Sequence, residues 1–387
     1  MKVYLNLVAR EFRLFFSNSV AVLILIGAPV LYGVLFGMVY KDGIVEELPV
    51  AVADQNNTSI SRDLTDAINE HQYISVVKNA PETHYFREDL KSDAIAGVIT
   101  IPVDFEKQLQ RQQTPDVQVD LDGTNMLNAN FALRGIRESL ETMSAGIQIE
   151  TLNKQGVPQH SAEHQWQPFN IQTEFNFNPS TNYLFFLLPG LLATVMQQVM
   201  LIALALSFSK DYEDATFFDL TNQTYSASLI ILAKSTPYLF IGGLIWLLTL
   251  HGLLFAFGVP VVGSWSVIYG LSALFLLSVT AIGVMISSLI PSQLKSTEIL
   301  MVIATPAFII SGFTWPLSQM PEWITWIASI IPLTHFLEAF RYVLLAGAEW
   351  QHITSQLWSL FWLMTIPLIA TWLMVTYQVR LWSKASR

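Results

Sequence analysis

The sequence predicts an α-helical polytopic membrane protein. It should have six transmembrane helices, an N-terminal interfacial helix, re-entrant outer helices after the fifth span, and an inserted α/β extracytoplasmic domain. Three observations predict this. Only 13% of the 387 residues are charged and 52% are hydrophobic, against about 25% charged in an ordinary soluble domain. The apolar residues fall in runs close to the roughly 20 residues an α-helix needs to cross a bilayer core. The remaining charge is segregated: residues 41–180 carry 21 acids and 10 bases, a net of −11, while the rest carries 9 acids and 10 bases. A polar stretch of that length can bury a core of its own. With no cysteine in the chain, disulfides, thiolate metal sites and cysteine nucleophiles are excluded.

Residues 1–18 place Tyr4, Val8, Phe12 and Phe15 at helical spacing, with Arg10 and Arg13 projecting elsewhere. That pattern suits an interfacial (elbow) helix lying along the membrane, or a cytoplasmic extension of the first span. Residues 19–40 hold the first span, a charge-free run too long for a signal-peptide core and therefore retained. The second span falls at 181–209. The 60 residues between Lys234 and Lys295 contain no Asp, Glu, Lys or Arg, and GVPVVGS at 258–264 reads as a turn joining spans at 236–257 and 266–290. A fifth span begins at 299–313 and a sixth runs over 353–379.

Basic residues favour the cytoplasmic side. With both termini inside, Lys2, Arg10, Arg13, Lys210, Lys234, Lys295, Arg380, Lys384 and Arg387 all lie in the cytoplasm, and outside the 41–180 insertion only Arg341 opposes them. The insertion is then extracytoplasmic. The remainder, 181–387, carries spans two to six with a cytoplasmic loop at 210–234.

Within the insertion, residues 49–53, 73–77, 96–102 and 117–125 read as strands. Helices are expected at 84–92, at 104–112 and around Leu64 and Ile68, the last capped by Ser59 or Ser61. Such alternation implies a small α/β domain. From 125 to about 154 the pattern is helical, with Leu127, Phe131, Leu133, Leu140 and Ile147 apolar. HSAEH at 160–164 spaces two histidines for a metal on a helix, although Pro158 and the surrounding Gln/Asn/Pro-rich sequence favour a solvated linker. Asp120 and Asp122 read as a strand-end turn or as paired acids, and no third group is present to tune them.

Polar residues within spans are few, which disfavours an ion-coupled carrier. Gln197 and Gln198 sit in the second span, His251 in the third, and Glu298 opens the fifth. The glutamines suit hydrogen bonds between helices or a substrate pathway. Residues 311–347 are broken by Pro316, Pro321 and Pro332 and carry Trp315, Trp323 and Trp326, fitting short helices that dip into the outer leaflet and return. There Glu338 and Arg341, three apart, either pair or join His335 in meeting a substrate.

The segments AREFRLFFSNSVAVLILIGAPVLYGVLFG, VAVADQNNTSISRDL, AGVITIPVDFEKQL, VDLDGTN and SGFTWPLSQMPEWITWIASIIPLTHFLEAFR together resemble the membrane subunit of ABC-2-type transporters, in the subgroup with a large extracytoplasmic domain between the first two spans. The likeness covers essentially the whole chain. It implies that KDYEDATFFDL forms a coupling helix docking into a cytoplasmic ATPase. Asp211, Glu213, Asp214, Ala215, Thr216, Phe217, Phe218 and Leu220 would take part, followed downstream by Lys234. Ala215 stands where the family often has glycine, and Thr221-Asn222-Gln223-Thr224 replaces a stretch that usually contains proline.

The chain lacks GxxxxGK[ST], so no phosphate-cradling loop is present. It is expected to be non-catalytic and to hold no cofactor, with ATP and Mg on the partner ATPase. The resemblance further implies a bacterial inner membrane location and a dimer with a second permease copy or close homologue. A periplasmic adaptor and membrane lipid complete the expected partners, and no nucleic acid is among them. An amphipathic substrate (a drug, a lipid or similar) would be exported. The alternative is a membrane receptor whose outer domain senses a ligand.

Overall fold

The computed structural model describes residues 2–92, 94–111, 113–154 and 176–385. It divides into two compact units, one formed by Met1–Gly43 and Phe175–Arg387, the other by Ile44–Glu174. The HSAEH stretch lies outside the described residues.

The first unit begins with α1 (Lys2–Ser17). The side it buries is the line Leu7, Glu11 and Phe15, with Tyr4, Val8 and Phe12 packed alongside. The apolar pattern thus located the right side of the helix but overlooked an acid at its centre. Asn18 then ends α1 and caps α2 (Ser19–Val39), its Oδ1 accepting from the Ala21 N–H at 3.1 Å. A π-helical turn at Leu23–Gly27 precedes Pro29. The wider turn accommodates a proline that can neither donate a backbone hydrogen bond nor pass the preceding carbonyl.

The second unit is built on a four-stranded sheet of order β2-β1-β3-β4, from β1 (Leu48–Asp54), β2 (Ile74–Ala80), β3 (Gly97–Ile101) and β4 (Gln118–Leu121). β1 runs parallel to β2 and β3, and β4 closes the edge antiparallel to β3. Central β1 is apolar on both faces, as a strand covered on both sides must be. Val50 and Val52 join α3 (Ser59–Asn69) and the long α6 (Met126–Lys154), while Ala51 and Ala53 meet Phe86 and Ile95. Between them come α4 (Arg87–Lys91) and α5 (Phe105–Gln110). The cap of α3 is Thr58, one residue before Ser59 and three before Ser61, the two expected caps. Thr58 and Ser61 satisfy each other's backbone N–H reciprocally. Asp122 accepts from the Thr124 N–H at 2.9 Å, the geometry of a turn. Burial works to raise the Glu138 pKa, yet hydrogen bonds from Arg134 and His71 hold it below the ordinary carboxylate value.

The first unit resumes with α7 (Tyr183–Glu213), a short α8 (Phe217–Gln223), α9 (Ala227–Ala256), α10 (Trp265–Leu289) and α11 (Gln293–Ile310). There follow α12 (Glu322–Ser329), α13 (Pro332–Ala346) and α14 (Thr354–Ala385). Among the described residues, six helices are long and apolar enough to cross a membrane, and α12 with α13 forms a bent pair, turned by 85°. The chain is therefore a multi-pass membrane protein. α7 and α10 are the most enclosed spans. Their backbones approach closely at Gly283, where a Cβ would stand 2.7 Å from Leu204, the small-residue contact that membrane helices favour. An aromatic core of Trp246, Phe275, Phe336 and Phe340 joins α9, α10 and α13, with the Phe275 and Phe336 rings stacked at 4.1 Å.

Candidate functional site

The charged stretch between the second and third spans is not one helix. α7 continues without interruption through Lys210, Asp211, Tyr212 and Glu213. The chain turns at Ala215, whose φ of 57° lies in the left-handed region, and resumes as the two-turn α8. An alanine Cβ is disfavoured there and a glycine is not. Ala215→Gly is therefore expected to stabilise the protein by about 0.5–1 kcal/mol, read as a raised thermal midpoint in detergent. A lowered midpoint would contradict the strain assigned to this corner.

Three consecutive side chains tie the end of α7 to four other helices. Asp211 is buried and accepts from Arg10 of α1 at 2.6 Å, from Lys234 of α9 and from Thr216. Lys234 is also buried, donating to Glu11 at 3.3 Å and to the Ser207 carbonyl at 2.7 Å. Arg10 completes the ring by donating to Glu11 at 2.6 Å. Two cations thus meet two carboxylates in a neutral cluster, the condition under which buried charge is tolerated. Tyr212 donates its hydroxyl to Gln378 of α14. The Glu213 Oε2 accepts from the backbone N–H of Gln293 at 2.9 Å, capping the start of α11.

Beyond these ties, α8 lays Phe217, Leu220 and Thr221 inward, with the Phe217 ring 5.1 Å from that of Tyr212. Glu213, Asp214, Ala215, Phe218 and Asp219 stay exposed, as does Tyr225 after α8. The eight residues singled out for coupling therefore fall into two groups. Asp211, Phe217 and Leu220 are buried within the chain, Thr216 is half-buried, and Glu213, Asp214, Ala215 and Phe218 are exposed. Glu11 was overlooked because nothing distinguishes an acid on an otherwise apolar helical line from a misplaced surface residue until its lysine is known. Arg10 was assigned to the polar side, and its guanidinium turns back to Asp211 instead.

The candidate pathway residues do not gather at one place. Gln197 is buried and accepts from the Leu333 N–H at 3.0 Å, joining α7 to the start of α13 behind Pro332; Gln198 is half-buried beside it. His251 is exposed on α9, stacked on Trp265 at 4.3 Å and hydrogen-bonded to the Tyr269 hydroxyl at 2.8 Å. His335 lies 2.9 Å from the Ser329 carbonyl across the bend. The expected Glu338–Arg341 pair is not formed. Glu338 is exposed, and Arg341 sits over the rings of Phe313 at 5.6 Å and Tyr342 at 5.7 Å. Flanking aromatic faces attract the guanidinium where the sequence offered only a carboxylate three residues away. Among the described residues there is no cluster suited to a metal.

Comparison with known proteins places this geometry in context. The chain is 28% identical over 307 residues to the probable multidrug ABC transporter permease YbhS of Escherichia coli, covering 78% of each chain. It is 23% identical over 366 residues to the inner membrane transport permease YhhJ of the same species, covering 92% of each. To the linearmycin resistance permease protein LnrN of Bacillus subtilis it is 24% identical over 377 residues, covering 90% of this chain and 93% of that one. The family described as ABC-2 family transporter protein matches residues 20–376. That match takes in all or nearly all of every candidate span and the whole inserted unit, so the chain belongs to the ABC-2 family of transporter proteins.

Proposed function

We propose that the chain is the membrane-spanning permease subunit of an ATP-driven exporter, powered by a separate cytoplasmic ATPase that docks on the corner formed by the end of α7 and α8. The observation that carries this reading is the division of labour at that corner. Its exposed side offers an aromatic anchor, Phe218, among Asp214 and Asp219, while Asp211 and Tyr212 on its inner side hold α1, α9 and α14 and the exposed Glu213 caps α11. A partner pushing on the exposed side would move four helices together. Both termini and this corner lie in the cytoplasm in this reading, which follows the distribution of Lys and Arg. The inserted α/β unit is then extracytoplasmic, and the bent pair α12–α13 dips into the outer leaflet, where exposed Trp323 and Trp326 suit the interface.

The protein works as a dimer of two permeases, in a bacterial inner membrane, on an amphipathic substrate. The relatives named as multidrug and linearmycin-resistance permeases support that substrate class. They lend nothing to the receptor alternative. Purification of the tagged chain from native membranes in mild detergent should bring down a stoichiometric ABC-type ATPase. Its reproducible absence, with the corner intact, would overturn the reading.

A further inference from the structure

The long helix of the inserted unit outlasts the sheet it covers. At 29 residues α6 measures about 43 Å, whereas β1, with seven residues, measures about 23 Å. Its apolar line continues past the sheet regardless. Ala132 and Ile136 are fully buried, and Leu140, Met143 and Ile147 follow at spacings of three and four but are only half-buried. With Phe105 and Leu109 of α5 and Leu64 of α3 they line a groove of about 710 Å³. That lies within the roughly 300–1,000 Å³ of sites that hold drug-sized molecules. The rim is polar: Gln113, Thr114 and Asp116 from the segment leading into β4, and Ser144 and Gln148 of α6, are all exposed. Among the described residues Asp116 is the only charged group lining the groove, and it has no hydrogen-bond or ion-pair partner there.

We propose that this groove binds hydrophobic organic cations, its apolar floor taking the hydrocarbon body and Asp116 the charge. Burial of an apolar body against these half-covered side chains supplies the driving force. The carboxylate selects the sign, and the net charge of −11 over residues 41–180 draws cations towards the unit. The assignment comes from the groove alone and goes beyond the permease reading, so it does not depend on recovery of an ATPase.

The chain contains no cysteine, so Ser144→Cys puts a single thiol in the groove. Thr142→Cys puts one on the opposite, exposed side of α6. In the full chain held in lipid nanodiscs, the fluorescent cation rhodamine 6G should slow maleimide labelling of Ser144→Cys and leave Thr142→Cys unaffected. Ile147→Trp, added to Ser144→Cys, fills the groove from its half-exposed wall. It should raise the half-protecting concentration roughly tenfold, about the loss of one good apolar contact, without lowering the melting midpoint. Asp116→Asn should raise it roughly threefold, as suits a single exposed charge pair, and 1 M salt should erase that difference. Equal labelling of Ser144→Cys with and without the cation would overturn the site. So would a Ser144→Cys thiol that never reacts while Thr142→Cys does, because the groove would then be covered by protein. Protection unchanged by Asp116→Asn would overturn the preference for cations.

Discussion

Replacing Lys234 with methionine is expected to lower the thermal midpoint of the purified permease by roughly 10 °C. Lys234 is buried and contacts Asp211 and Glu11 at once. Removing it leaves two carboxylates enclosed with only Arg10 to answer them, and breaking a buried ion pair from one side costs about 3–5 kcal/mol. That is a large part of the about 5–15 kcal/mol by which a folded protein is ordinarily stable. Methionine fills nearly the same space, so the loss reports charge rather than volume. The double variant Lys234→Met with Glu11→Gln removes one charge of each sign and keeps the Arg10–Asp211 bridge, so it should recover much of the midpoint. Melting of Lys234→Met at the wild-type temperature would show that the cluster contributes little to the fold.

Phe217 and Phe218 are adjacent in sequence and are expected to fail in different assays. Phe217 is 1% exposed and Phe218 is 38% exposed. Phe217→Ala should destabilise the permease by about 3–5 kcal/mol, the usual consequence of emptying an aromatic site in a packed core. Phe218→Ala should lower the melting midpoint far less than Phe217→Ala and weaken ATPase retention by roughly 30-fold, since an aromatic anchor at an interface is worth about 2 kcal/mol. A double truncation would confuse the two effects; single variants, each read by melting and by co-purification, keep them apart. Equal ATPase retention by Phe218→Ala and wild type would remove the anchor from the docking surface.

The spans were legible in the sequence because hydrophobic length is a property of a single segment. The boundaries were less so: α7 runs past 209 to Glu213, and α9 begins at Ala227 rather than 236, because charged residues continue a helix readily once partners neutralise them. Those partners come from distant segments, 201 residues apart for Arg10 and Asp211 and 223 for Glu11 and Lys234, and no periodicity within either segment encodes such a meeting. The strands of the inserted unit could be read from alternation and β-rich composition, whereas its helix cap was expected at Ser59 or Ser61 and falls at Thr58, because the three are chemically equivalent caps. At the corner the chemistry of the residues was visible, but which of them faced inward was not. That depends on the reversal at Ala215, and φ at an alanine is not something composition announces.

The end of α7 behaves like a keyed shaft. Asp211, Tyr212 and Glu213 are successive helical residues, so their side chains leave the axis about 100° apart, and each meets a lock on a different helix. Only one rotation of α7 engages all three. Adding or deleting a single residue between the span and the corner would turn the key by that same angle and disengage every tooth together, whereas changes of side chain disengage them singly. The distance along the chain from the enclosed part of α7 to Ala215 is thus a fixed quantity of the design. A chimera that exchanged this corner for a relative's would have to preserve its phase before its sequence.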